Sequence, residues 1–113
     1  ALPIWEFLHA DDLADACVFL MQNCSASELD GHVNIGTGVD VSIRELTHLI
    51  QKTVDYKGAL AFDASKPDGT PRKLLNVDKM NKLGWTAKKT LEKGLEDTYD
   101  WYLANLNLSK DAS

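Results

Sequence analysis

The chain has 113 residues, 44% of them hydrophobic, so it can bury one modest core and is expected to form a single unit over residues 1–113. Twelve Lys and Arg against 17 Asp and Glu give a net charge of -5, which argues against general binding to nucleic acid or membrane surfaces. The sequence shows no charged-then-apolar leader and no apolar run long enough to cross a bilayer. These features predict a protein of a reducing compartment, the cytoplasm.

The first predicted elements are an extended segment at residues 5–9 and a helix over residues 12–24. The apolar residues of the helix recur at spacings of three and four, and Val18 and Phe19 widen the stripe, so the helix is expected to be covered on two sides. Its two cysteines are interpreted as small hydrophobic residues rather than as a disulfide or metal ligands. The stripe consists of Leu13, Ala16, Cys17, Leu20 and Met21, and the second cysteine is Cys24.

Acidic residues at the start of this helix are interpreted as caps that offset the positive end of the helix dipole. The competing interpretations are an acid–base pair, or a metal site completed by His9. His32 and His48 have neither a metal-like spacing nor a nearby nucleophile pattern, so no catalytic or metal-binding residue is assigned. The acidic residues are Asp11, Asp12 and Asp15.

The rest of the chain alternates short strands with helices. Strands are predicted at residues 32–35 and 60–62. A capping box of Ser42 and Glu45 marks a second helix, a short helix ends at Gly84, and Thr90 caps a last helix that reaches Leu106. The alternation indicates an α/β fold with about four helices, but two or three strands are too few for an independent doubly wound sheet.

The turn Gly36-Thr37-Gly38 lies where a dinucleotide-binding loop would lie, between a predicted strand and a helix. It lacks the third glycine of that pattern, and no acidic residue ends a second strand about twenty residues later. We therefore interpret it as a turn into a helix and assign no cofactor-binding residue.

A loop over residues 63–73 carries the clearest candidate for a binding site. Prolines at two positions and one glycine restrict its backbone, and three cations and one carboxylate project from it: Lys66, Arg72, Lys73 and Asp68. Arg and Lys suit a phosphate group, whereas a carboxylate suits sugar hydroxyls or a base N–H. The residues alone leave two interpretations open, a surface turn and a site for a phosphorylated ligand.

Three runs carry general features of a known superfamily: Glu6-Phe7-Leu8-His9-Ala10-Asp11-Asp12, Asn34-Ile35-Gly36-Thr37-Gly38 and Ser42-Ile43-Arg44-Glu45-Leu46. In these runs the chain resembles extended short-chain dehydrogenases/reductases. The run from Phe62 to Lys73, followed by Leu83-Gly84-Trp85, is more specific and resembles the GDP-L-fucose synthase family. The resemblance extends from the start of the chain to about Leu106.

This resemblance implies the C-terminal, substrate-binding part of a larger enzyme whose Rossmann core is largely missing from these residues. The family epimerises GDP-4-keto-6-deoxy-mannose at C3 and C5 and then reduces C4 with NADPH to give GDP-L-fucose. The implied partners are a GDP-sugar and the missing N-terminal domain, which would bind NADP, and the parent enzyme is expected to be a homodimer. Substrate contacts carry over to Asp68 and Lys73, and to Arg72 as a weaker contact.

Two departures from the family pattern bear on function. The family usually has Arg immediately before Glu-Phe-Leu-His, where it contacts the diphosphate, and this chain has Trp5. We expect weaker nucleotide binding, with stacking of Trp5 on a ring as the alternative. The 113 residues also contain no Tyr-x-x-x-Lys pair and no complete glycine-rich NADP fingerprint, so the chain alone is expected to be inactive.

The sequence leaves two other functions open. One is a stand-alone GDP-sugar binding module or a purely structural module. Another is a portion of a related nucleotide-sugar epimerase or dehydratase, because the general features are shared across the superfamily.

Overall fold

The computed structural model describes residues 3–66 and 72–111, the last five of them as backbone only. Within these ranges, three short strands form one sheet in the order β2-β1-β3. The central strand β1 (Ile4–Glu6) pairs antiparallel with β2 (Asp40–Ser42) and parallel with β3 (Arg72–Lys73). The α/β fold predicted from the sequence is confirmed.

The positions of two strands were predicted wrongly. Residues 32–35 and 60–62 are not in strands, and the partners of β1 come from segments assigned to a turn and a loop. Val33 and Ile35 pack against the hydrophobic core without a ladder partner. Strand formation in such short segments depends on pairing with distant residues, which local composition does not report.

Five helices accompany the sheet in the described ranges: α1 (Ala10–Asn23), α2 (Ala26–Leu29), α3 (Ile43–Thr53), α4 (Asp78–Leu83) and α5 (Leu91–Asp111). The predicted boundary signals are present. Ser42 Oγ accepts a hydrogen bond from the Glu45 N–H at 3.1 Å, and Thr90 Oγ1 accepts one from Lys93 at 3.2 Å. Gly84 ends α4 in the left-handed conformation with φ 107°. The single turn α2, capped by Ser25, was not predicted.

The hydrophobic core lies between α1 and the end of α4. Its fully enclosed members are Ala16, Met80 and Trp85, and Phe19 and Leu20 of α1 pack against them. Only one face of α1 therefore reaches the core, although the sequence predicted cover on two sides.

None of the three aspartates is the N-cap of α1, so their interpretation as caps was wrong, although Asp11 and Asp12 do lie in the first turn, near the positive end of the helix dipole. Asp12 and Asp15 instead connect the helix to the segment after α4. His9 is the N-cap, and its Nδ1 accepts a hydrogen bond from the Asp11 N–H at 3.0 Å. Asp12 is 3% exposed, and its Oδ2 accepts from the N–H groups of Lys88 and Lys89 at 3.2 and 3.0 Å. Asp15 accepts from the Trp85 indole at 2.9 Å.

Glu6 connects the sheet to the glycine turn. Its carboxylate accepts hydrogen bonds from the Gly38 N–H at 2.6 Å, from Thr37 Oγ1 at 3.3 Å and from the Leu75 N–H at 3.4 Å. A Cβ at Gly36 would lie 2.7 Å from Glu6 Oε1, and Gly38 has a φ of +75°. Glycine at these two positions thus admits the carboxylate and allows the turn.

Replacing Asp12 tests the connection between α1 and residues 88–89. Asp12→Ala leaves two backbone N–H groups without their acceptor, and we expect the free energy of unfolding to fall by about 2–3 kcal/mol. The matched control is Asp11→Ala, since Asp11 is 74% exposed and its loss should cost less than about 1 kcal/mol. Urea titration followed by circular dichroism measures both, and equal losses would contradict the assignment.

Replacing Glu6 tests whether its carboxylate holds the glycine turn against the sheet. In Glu6→Ala, the amide protons of Gly38 and Leu75 should exchange with solvent faster because they lose their acceptor. Glu6→Gln keeps an acceptor oxygen and should be intermediate. Glu96→Ala, an exposed position on α5, serves as the control. Hydrogen exchange by NMR reports each amide, and unchanged protection at Gly38 in Glu6→Ala would refute the role.

Candidate functional site

The candidate site lies where Trp5 of β1 and Lys73 of β3 are aligned on neighbouring strands. The two residues are register partners, and Lys73 Nζ lies 5.6 Å from the centroid of the Trp5 ring. Trp5 is half-buried and Lys73 is exposed. A cation over an indole face at an exposed site contributes about 0.5–1 kcal/mol. The contact therefore favours, by a small energy, a position of the ammonium beside an aromatic surface.

Lys73 has no carboxylate partner among residues 3–66 and 72–111. Its charge is thus not balanced within the described residues. An ammonium beside a ring is suited to an anionic group next to a planar one, such as a phosphate joined to a nucleoside.

Arg72 is set apart from Lys73 although the two are adjacent in sequence. Successive strand residues point to opposite faces of a sheet. Arg72 Nε donates to Asp40 Oδ2 at 2.7 Å, reaching across β1 to β2. The Arg72 side chain is 64% exposed and that of Asp40 is 23% exposed, so a carboxylate already balances much of this cation. The structure therefore groups Trp5 with Lys73, places Arg72 with Asp40, and leaves Asp68 outside the described residues.

A cleft lies between β2 and the segment that leads into α5. It has a volume of about 270 Å³ and is lined in part by Asp40, Val41, Lys88 and Lys89. The two lysines are held in ion pairs, Lys88 with Asp15 at 2.8 Å and Lys89 with Asp97 at 2.5 Å. The cleft thus offers apolar walls with cations that already have carboxylate partners.

These ion pairs shift the pKa values of their members in the expected directions. The hydrogen bond to Asp15 raises the pKa of Lys88, and the hydrogen bond to Asp97 raises that of Lys89. The hydrogen bond from Lys89, and to a smaller extent the one from Lys93, lowers the pKa of Asp97. Both lysines stay charged at neutral pH, and each forms an ion pair between different segments of the fold.

The glycine turn does not fit the pyrophosphate of a dinucleotide. The Glu6 carboxylate already accepts the Gly38 N–H, and it would repel a second anion there. In the described part of the chain, no group of three His, Cys, Asp or Glu side chains could hold a metal ion. No helix in the same residues is long and apolar enough to span a bilayer.

Sequence reasoning did not identify Glu6 or Asp40 as individually important. A signal for Glu6 was present, because it is the one charged residue in the apolar run from Leu2 to Leu8. A carboxylate in such a run requires hydrogen-bond donors from elsewhere in the fold. No comparable signal marks Asp40, whose pairing with Arg72 depends on the strand order.

Comparison with known proteins gives consistent matches. Residues 2–36 match a model of the NAD dependent epimerase/dehydratase family. The chain is 56% identical over 104 residues to a putative GDP-L-fucose synthase 2 of Arabidopsis thaliana, covering 92% of this chain and 31% of that protein. It is 50% identical over 109 residues to the GDP-L-fucose synthase of Escherichia coli K12, covering 91% of this chain and 34% of that protein.

Solved structures also match this chain over about a third of their own length. A GDP-6-OMe-4-keto-L-xylo-heptose reductase from Campylobacter jejuni superposes with a TM-score of 0.87 at 37% identity, over 92% of this chain and 32% of that one. A GDP-mannoheptose C4 reductase from the same organism, with NADP bound, gives a TM-score of 0.80 at 38% identity, over 89% and 32%.

The chain spans about a third of the length of the curated relatives it matches. The resemblance seen in the sequence is confirmed, and the chain is homologous to the C-terminal part of GDP-L-fucose synthases and, more widely, of extended short-chain dehydrogenases/reductases.

Proposed function

We propose that this chain is the substrate-binding part of an NADPH-dependent epimerase-reductase that makes GDP-L-fucose from GDP-4-keto-6-deoxy-mannose. The observation that supports the proposal most directly is the pairing of Lys73 with Trp5, in a chain 56% identical to a putative GDP-L-fucose synthase. In this proposal Lys73 binds the diphosphate of the GDP-sugar, and Trp5 lines the same position. Asp68 and Arg72 are the remaining proposed contacts.

Lys73 and Trp5 would contribute differently to binding of the GDP-sugar. Lys73 would supply a point charge with three donors to the diphosphate oxygens. Trp5 stands where the family usually has Arg, so it would supply apolar surface instead of a bidentate donor. Arg72 would be the weaker contact, because Asp40 competes for its guanidinium.

The chemistry of the reaction is proposed to reside in the rest of the parent polypeptide. NADPH, where bound, would supply the hydride for reduction at C4 and leave as NADP. The 113 residues contain no Tyr-x-x-x-Lys pair, and their glycine turn is engaged by Glu6, so the chain would be inactive alone. A cytoplasmic location and a homodimeric parent enzyme remain predictions.

The nearest competing function is binding or reduction of another GDP-sugar. The two Campylobacter jejuni reductases, which act on GDP-heptoses, are 37% and 38% identical to this chain. The GDP moiety is common to these names and to the Arabidopsis relative. Binding of GDP itself is therefore the feature to test first, before the identity of the sugar.

Calorimetric titration with GDP tests the proposed contact. Lys73→Ala should weaken GDP binding about tenfold, because it removes a cation that has no carboxylate partner within residues 3–66 and 72–111. Lys82→Ala is the matched control, because it removes the same charge from an exposed position on α4, and it should leave the affinity unchanged. Equal effects of the two substitutions would contradict the assignment of Lys73. Absence of GDP binding by the wild-type chain would leave the structural-module interpretation.

A second substitution tests the departure at Trp5. Trp5→Arg should tighten GDP binding about tenfold, because a guanidinium beside Lys73 can donate to the diphosphate in a bidentate manner. Trp101→Arg adds the same charge at a residue that is 66% exposed on α5, and it should leave the affinity unchanged. The same calorimetric titration measures both. Weaker binding in Trp5→Arg would show that the indole itself contacts the nucleotide.

A further inference from the structure

Asp40 holds the guanidinium of Arg72 through a single hydrogen bond. Arg72 Nε donates to Asp40 Oδ2 at 2.7 Å, and within residues 3–66 and 72–111 the guanidinium has no other hydrogen-bond partner. An arginine bound through Nε alone has not formed the paired, bidentate contact that it can form with a phosphate. Its two terminal nitrogens therefore keep their donors available for a second anion.

Asp40 requires a positive partner because it faces a second carboxylate. Asp40 and Glu6 are register partners on the antiparallel strands β2 and β1, so their side chains leave the same face of the sheet. Like charges at such positions destabilise a strand pair. Glu6 accepts from the N–H groups of Gly38 and Leu75. The side chain of Asp40 is 23% exposed, and in the described part of the chain its one hydrogen bond comes from Arg72. The pair therefore balances a partly enclosed charge and retains the guanidinium.

Without Asp40, Arg72 can reach the side of the sheet that carries Lys73. In the strand order β2-β1-β3 of the described residues, β3 comes last, so no further strand lies along its outer edge there. The Arg72 side chain is also 64% exposed. A long, exposed side chain on an outer strand can turn round the edge of the strand, toward the ammonium of its neighbour in sequence.

We infer that Asp40 is the residue that limits the affinity of the candidate site for a diphosphate, because it retains the Arg72 guanidinium on the face opposite Lys73. The inference rests on the proposed function and deepens it. In the wild-type chain Lys73 is the main cation of the site. Once Asp40 is removed, both cations can converge on one diphosphate, and Arg72 adds a bidentate contact to the point charge of Lys73.

Removal of Asp40 should therefore tighten the binding of GDP. In calorimetric titration, Asp40→Ala is expected to lower the Kd about fivefold, which corresponds to one additional exposed ion pair. Asp40→Asn keeps a neutral acceptor for Arg72 and should be intermediate. The matched control is Asp100→Ala, which removes the same charge from an exposed position on α5 and should leave the Kd unchanged.

The gain must depend on Arg72, because removing a negative charge near the site would by itself favour an anion. In the Arg72→Ala background, Asp40→Ala should change the Kd by less than about twofold. A gain of the same size in that background would overturn the inference. Unchanged or weaker GDP binding in Asp40→Ala would also overturn it, since the ion pair would then play no part in binding or would support the site by holding β3 in register.

A measurement without GDP keeps the inference separate from the proposed function. Inorganic pyrophosphate carries the charge of a diphosphate without a nucleoside, and the Nε–H resonance of Arg72 reports its approach by NMR. We expect pyrophosphate to shift this resonance further in Asp40→Ala than in the wild type, and Lys73→Ala to reduce the difference. If the wild-type chain binds no GDP, the proposed function fails, while this comparison still decides the inference. Equal shifts in the wild type and Asp40→Ala, or no effect of Lys73→Ala, refute it.

Discussion

The contacts of the Glu6 carboxylate are the constraint on which the rest of the sheet depends. Within residues 3–66 and 72–111 the sheet has three strands of two or three residues each, and these form too few ladder hydrogen bonds to define a register firmly. Glu6 adds bonds to the turn before β2 and to the segment after β3. It thereby fixes both neighbours of β1, and the alignment of Trp5 with Lys73 follows from that arrangement.

Carboxylates play the same role elsewhere in the molecule. Asp12 and Asp15 join α1 to the segment after α4, and they do so around a core with few fully buried side chains. Hydrogen bonds to charged acceptors contribute about 1.5–3 kcal/mol each, roughly as much as burying one large apolar side chain. Glu6, Asp12 and Asp15 thus each connect segments that are distant in the sequence.

Four of the five helices in the described residues could be predicted from the sequence because their signals are local, whereas the single turn α2 was missed. Ser42, Thr90 and Gly84 act within one helical turn, and each forms the contact that its position predicts. The two partner strands of β1 could not be predicted, since residues 40–42 and 72–73 become strands only by pairing with β1. The candidate site, too, could be predicted only in part. The loop cations could be predicted from composition, but the separation of Arg72 from Lys73 is a consequence of the pleat and of Asp40.

The candidate site is connected to the hydrophobic core through a short segment. Only Phe7, Leu8 and His9 separate the end of β1 from the start of α1, and Leu8 packs against the core. This connection restricts β1, and with it the Trp5 ring beside Lys73. Binding energy for a nucleotide diphosphate depends on how little the contacting groups must be reordered. In the proposed function, a strand that is already held between the core and the Glu6 contacts would therefore favour binding at Lys73.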